Sequence, residues 1–302
     1  MRSCCPELAI VLLAAVFTAG GCRGLSNIQP TLPDRHTLVR EQLVIHSDFP
    51  LAGHHRLLED LTARRMDISL RLALPASNEP VQVYLFESAD RFHAFMRLSH
   101  PEFPERRAFF VETDTRLIVY AHWADRVAED LRHEVTHAYL HSVVPQLPLW
   151  LDEGLAEYFE VPRGHEGINR AHLDRLAALL QQGGWQPDLP RLERFQSSFD
   201  MGQDDYAEAW AWTHFLLHSR PEHLELLQQY LAELRREGSA EPLSLRLKRT
   251  LGQPEAPLVE YVRQLTAGAQ RYTAAENQHQ QGGLPFATTR VSNLRPTVYH
   301  LF

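Results

Sequence analysis

Leu131-Arg132-His133-Glu134-Val135-Thr136-His137-Ala138 and Trp150-Leu151-Asp152-Glu153-Gly154-Leu155-Ala156-Glu157 are the two stretches on which the reading of this chain turns. The first contains the pattern HExxH. On a helix, positions i and i+4 share a face, so two imidazoles so spaced can converge on one zinc ion. Glu134 then sits where it can take a proton from metal-bound water. Val127, Leu131, Val135 and Ala138 supply a buried stripe for a helix over Asp125–Val143, with Asp125 as its cap. His133 and His137 point away from part of that stripe, toward a cleft.

A zinc site needs a third protein ligand, and three residues offer themselves. His141 continues the i+4 series, but it lies about 12 Å along the axis from His133 at about 1.5 Å per residue. One ion with bonds of about 2.1 Å does not reach both, so His141 reads as a solvated or cleft-rim residue. Glu153 and Glu157 follow the break at Pro145 and Pro148. A second helix antiparallel to the first would bring them back to the metal. Being themselves i and i+4, one can ligate while the other supports.

Taken together, the two stretches resemble the gluzincin metallopeptidases, and within them the peptidase-MA-like group of bacterial proteins. The likeness is tight over residues 131–160 and looser over roughly 80–220. It implies Glu153 as third zinc ligand and Glu157 as the carboxylate that supports the first zinc histidine, His133, fixing its tautomer. It also implies a sheet edge strand beside the active-site helix. Leu117–Ala121 is well placed in order for that strand and could bind an extended peptide by strand addition. A downstream Tyr or His that stabilises the oxyanion is implied as well. In Asp205-Tyr206-Ala-Glu-Ala-Trp210-Ala-Trp-Thr-His214, Tyr206 is the first choice and His214 the second. The plain alternative is that Tyr206, Trp210 and His214 simply pack a helix.

Around this core the expected fold is α+β and zincin-like: a small mixed sheet with helices over 41–124, then a mainly helical lobe over 125–268. Strands are expected at Leu43–Ser47, Val81–Phe86, Ala108–Glu112 and Leu117–Ala121. Helices are expected at His55–Leu72, Ala89–Leu98, Pro148–Glu160, Ala171–Gln182, Tyr206–His218, Pro221–Glu237 and Pro257–Ala267, with Asp204 and Asp205 capping the Tyr206 helix. Residues 23–40 read as a linker and 269–302 as a poorly ordered tail.

The first 22 residues differ from the rest. The apolar run Leu8–Ala19 is shorter than the ~20 residues a membrane-spanning helix needs and reads as a signal peptide. It ends in Ala19-Gly20-Gly21-Cys22, which resembles a bacterial lipobox, although Ala19 stands where a larger aliphatic is usual. Lipidation at Cys22 would make an exported, lipid-anchored envelope protein, otherwise a periplasmic or secreted one, touching membrane through the anchor alone. All three cysteines lie in this segment, so the mature domain has neither disulfide nor catalytic thiol. The net charge of −8 leaves no basic footprint for nucleic acid. The expected activity is zinc-dependent hydrolysis of a peptide or protein substrate. Two alternatives stay open: a non-catalytic zinc-binding or degenerate envelope lipoprotein, and a zinc hydrolase with a non-polypeptide substrate.

Overall fold

The computed structural model describes residues 31–281; Cys22, the signal segment and residues 282–302 lie outside them. Seven elements come first: β1 His36–Arg40, β2 Leu43–Ser47, α1 Arg56–Leu72, β3 Val81–Phe86, α2 Ala89–Ser99, β4 Ala108–Thr113 and β5 Arg116–His122. Eight helices follow: α3 Val127–His141, α4 Leu149–Phe159, α5 Arg170–Gln181, α6 Leu189–Leu192, α7 Gln203–His218, α8 Pro221–Glu237, α9 Leu243–Leu251 and α10 Glu255–Gln281. The architecture is α+β, a mixed sheet with helices followed by a mainly helical region. No helix among the described residues is long and apolar enough to cross a membrane.

The sheet has five strands in the order β1-β2-β3-β5-β4. The inner three are parallel, and each outer strand is antiparallel to its neighbour. β1 falls where the sequence reads as linker. Its side chains are exposed or half-buried throughout, so it carries no apolar alternation to announce it. It is fixed by pairing with β2 through a tight turn in which Glu41 takes a positive φ of 49°.

Strand order also corrects an expectation. Leu117–Ala121 is interior, because β5 pairs with β3 on one side and β4 on the other. Its residues Leu117 to His122 are all buried, the signature of a strand covered on both faces. One face meets the main core, with Val119 and Val135 in one cluster. The other meets Phe86, Phe92, Phe95 and Phe109 in a second, aromatic cluster. The edge strand beside the HExxH helix is therefore β4.

α3 buries the expected stripe of Val127, Leu131, Val135 and Ala138. Its start differs from expectation: Arg126 occupies the cap position without a side-chain hydrogen bond, and Asp125 does not cap. Glu129 and Asp130 lie in the first turn instead, where negative charge suits the helix dipole. α7 begins at Gln203, ahead of Tyr206. Asp205 accepts from the Gly202 N–H at 2.7 Å, whereas Asp204 pairs with Arg175. α10 continues past the expected end at Ala267 to Gln281.

α4 is almost wholly buried, with Trp150, Leu151 and Leu155 fully inside. It lies between α3 and α7, and Gly154 sets its approach to α7. A Cβ there would overlap Thr213 Oγ1 and stand 2.6 Å from the Ala209 carbonyl oxygen. The two backbones meet with no room for a methyl group. Gly154→Ala should cost about 1–3 kcal/mol of stability through overpacking, read from denaturant unfolding. An unchanged midpoint would show that α7 yields freely and that this contact does not hold α4.

Candidate metal centre

α3 and α4 run antiparallel, and their facing sides carry imidazoles against carboxylates. From one end of the contact to the other, His133 meets Glu153 and Glu160, His137 meets Glu153 and Asp152, and His141 meets Asp152. The antiparallel return expected after Pro145 and Pro148 is what brings Glu153 to the two histidines.

Glu153 Oε2 lies 3.5 Å from His133 Nε2 and 3.7 Å from His137 Nε2. This oxygen is buried and has no hydrogen-bond partner, an expensive arrangement for a carboxylate left alone. Ligands on a tetrahedral ion with bonds of about 2.1 Å stand about 3.4 Å apart. The two separations from Glu153 are close to the edge of a coordination shell, and the three side chains can hold a metal ion.

The outer nitrogens of both histidines meet further carboxylates. Glu160 Oε2 lies 2.9 Å from His133 Nδ1. Glu157, the residue expected in that role, instead meets His172 Nε2 at 2.7 Å and accepts from Asn169 Nδ2 at 3.1 Å. The helical repeat explains the exchange. Seven residues after Glu153 make nearly two full turns, so Glu160 returns closer to the line of Glu153 than Glu157 does. Asn169 caps α5 with its carbonyl oxygen and donates its amide to both Glu157 and Glu160. The C-terminal end of α4 is held by Arg132, which donates to the Glu160 carbonyl and pairs with Asp60 at 3.0 Å, and by Arg64, which donates to the Val161 carbonyl.

On the other side, Asp152 Oδ1 is 2.9 Å from His137 Nδ1 and Asp152 Oδ2 is 3.0 Å from His141 Nε2. His141 Nδ1 reaches Glu112 of β4 at 2.7 Å. His141 is therefore a paired, largely buried residue and not a solvated one. Phe110 of β4 stacks on His137 with ring centroids 6.0 Å apart.

These contacts set the protonation of the centre. Burial opposes charge on His133, but Glu153 and Glu160 outweigh it and hold the imidazole well above its ordinary value. His137 is raised in the same way, burial being overcome by Asp152 and Glu153. Burial pushes Asp152 up, and His137 and His141 more than reverse this, holding it well below the carboxylate range. Burial also opposes charge on His141, yet Asp152 and Glu112 push it up to about 10. Glu134 is raised by burial, partly offset by the two histidines and by the Phe110 backbone N–H.

An open cavity of about 900 Å³ adjoins the centre, and His133, Glu134, Glu157, Glu160, Arg106 and Tyr206 are in its wall. The Tyr206 hydroxyl donates to the Ser198 carbonyl at 3.2 Å and accepts from Arg106 at 3.4 Å. Burial and the Glu153 charge raise its pKa.

His214, the second choice for an oxyanion donor, is not in that wall. It is a buried residue of α7 with Nδ1 2.8 Å from the Tyr261 hydroxyl, its ring stacked 4.5 Å from that of His218. Trp210 is core as well, donating to the Gly167 carbonyl.

Sequence reasoning missed Asp152, Glu160 and Glu112. Helical spacing from Glu153 points to Glu160, and the i, i+4, i+8 series on α3 places His141 on the face shared by His133 and His137. Glu112 carries no such signal, since its contact depends on where β4 lies.

Residues 127–237, from the first residue of α3 to the last of α8, match the model of a family described as a protein of unknown function (DUF1570). No curated protein matches the chain.

The His214–His218 stack makes a pH prediction. Burial, with His218 next, lowers His214 to about 3; burial and then Arg71 lower His218 to about 4, against an ordinary 6.5. Both are neutral when folded and protonate more readily when unfolded. Stability is therefore lost as pH falls from about 6.5 toward these values. The melting temperature should fall across that window, and less steeply in His218→Gln. Equal slopes in parent and variant would place the acid sensitivity elsewhere.

Proposed function

We propose that this protein is a zinc-dependent metallopeptidase, exported and anchored through a lipid on Cys22. The observation that carries the reading is the buried, unpartnered Glu153 oxygen facing two imidazole nitrogens at coordination-shell spacing, with Glu134 in the wall of the open cavity alongside.

His133, His137 and Glu153 would hold the ion. Zinc bound there would polarise a carbonyl and lower the pKa of water toward about 7. Glu134, in the cavity wall and in reach of the Phe110 backbone N–H, would take a proton on the cavity side and pass it to a leaving amine. Its raised pKa suits both halves of that transfer better than that of a fully solvated carboxylate. Tyr206 can release the Ser198 carbonyl and offer its hydroxyl to a developing oxyanion. The outer edge of β4 provides backbone groups for an extended peptide, a role expected of Leu117–Ala121 and now better given to Ala108–Thr113. Arg107 holds this strand against α3 through a two-pronged pair with Asp130, at 2.9 and 2.6 Å.

Glu134 also weighs against a purely structural metal, which needs no acid in an open cavity. Structural zinc sites close with a fourth protein ligand, and a zinc held by these three side chains would keep a position for water or substrate.

The test is elemental analysis of the purified full chain with peptidase assays on a quenched-fluorescent peptide mixture. One zinc per chain is expected, lost in Glu153→Ala. Glu134→Gln should keep the zinc and lose about 10²–10⁴-fold in turnover. A chain that takes up no zinc after reconstitution would sink the proposal. Full turnover in Glu134→Gln would sink the mechanism. Zinc without hydrolysis of any peptide would favour the binding-protein or non-polypeptide alternatives.

A further inference from the structure

His137 has two neighbourhoods. Its Nε2 faces Glu153 at 3.7 Å, and its Nδ1 faces Asp152 at 2.9 Å. Asp152 does not stand alone. Its other oxygen meets His141 Nε2 at 3.0 Å, and His141 Nδ1 meets Glu112 at 2.7 Å. A single chain of contacts therefore runs from β4 through the end of α3 and the start of α4 to the histidine that faces the centre. Phe110, two residues before Glu112 and so on the same side of the strand, stacks on His137 and meets the edge of His141 at 5.1 Å.

Neither Asp152 Oδ1 nor His137 Nδ1 has another hydrogen-bond partner among the described residues, and both are buried. Asp152 is thus the group that decides which nitrogen of His137 carries the proton. With the proton on Nδ1, the Nε2 lone pair points at the metal position. That holds only while Asp152 keeps its rotamer, and His141 is the side chain that grips its far oxygen.

We propose that His141, held in turn by Glu112, is a positioning residue for the metal centre: it locks Asp152 so that His137 presents Nε2 to the ion. The inference rests on the metal site proposed above and adds to it a link from the strand that borders the cleft. His141 touches no reacting atom and is no ligand of the same ion. The three residues His137, His141 and Asp152 also form a cluster able to hold a metal of their own. Their separations of 2.9 and 3.0 Å are those of direct N–H to oxygen contact, shorter than the ~3.4 Å edge of a zinc shell. The cluster reads as a relay.

The experiment is zinc affinity of the full chain by competition with a chromophoric chelator, for the parent, His141→Leu and Glu112→Gln. Far-UV circular dichroism of each metal-free form is taken in parallel. His141→Leu should bind a single zinc about 10–100-fold more weakly, with the metal-free fold retained. Glu112→Gln, at an exposed strand position, should shift affinity the same way by less. The visible spectrum of the cobalt-substituted protein should change in His141→Leu, since ligand orientation changes. Affinity unchanged in both variants would overturn the proposal. So would a second zinc in the parent that His141→Leu loses, which would make the cluster a metal site. A parent that binds no zinc fails the metal reading itself, a result distinct from a parent that binds zinc beside indifferent variants.

Discussion

The antiparallel contact between α3 and α4 is the constraint on which the centre depends. Neither helix alone makes a site. α3 presents imidazoles at 133, 137 and 141, one turn apart, and α4 presents Asp152, Glu153 and Glu160. Only opposite chain directions put the first histidine against the last acid and the last histidine against the first. Such groups are costly to bury singly, and each tolerates burial because another of opposite charge is there. The contact is therefore all-or-none in character. A shift of one turn, about 5.4 Å, would leave several charges unpaired at once.

What holds the two helices at that register lies outside the charged face. Gly154 lets α4 approach the α7 backbone. Arg132 and Arg64 grip the carbonyls at the C-terminal end of α4, where a cation suits the helix dipole. The Tyr139 hydroxyl donates to the Leu61 carbonyl and ties α3 to α1. On the far side, Arg107 and Phe110 set β4 across α3. The sheet supplies a rigid floor, and the helical region supplies the closing wall. The cavity opens where these two parts of the fold meet.

Much of this was legible in the residues, and the reasons differ by element. The HExxH helix, the returning acidic helix and the α+β class were readable because each rests on local periodicity. The place of Glu153 was readable because an antiparallel return after Pro145 and Pro148 must set it facing two histidines already placed. Strand order was not readable: the pattern of β5 says that it is apolar, but only its neighbours show it to be interior. β1 was hidden because its side chains bury little and its pairing is all backbone. The exchange of Glu157 for Glu160 turned on a fraction of a helical turn. Of the two readings of His141, solvated or at the cleft rim, the solvated one fails, because excluding one role says nothing about the partners a side chain finds in the fold, here Asp152 and Glu112. His214 lay at the right spacing on the right helix and still points into the core, toward Tyr261.

The one group left over by all this pairing carries the functional argument. His133, His137 and His141 each meet a carboxylate on a ring nitrogen, and Glu157 and Glu160 share Asn169. Glu153 Oε2, in the middle of the network, has no hydrogen bond. The imidazoles at 3.5 and 3.7 Å offset part of the cost of burying it, and no hydrogen bond completes the compensation. A divalent cation at the point where Glu153, His133 and His137 converge would remove the penalty and convert it into binding energy, because the ligands are already held by partners that the ion need not reorganise. The surrounding ladder of acids and imidazoles is therefore best understood as the framework that holds one oxygen without a hydrogen bond between two ring nitrogens.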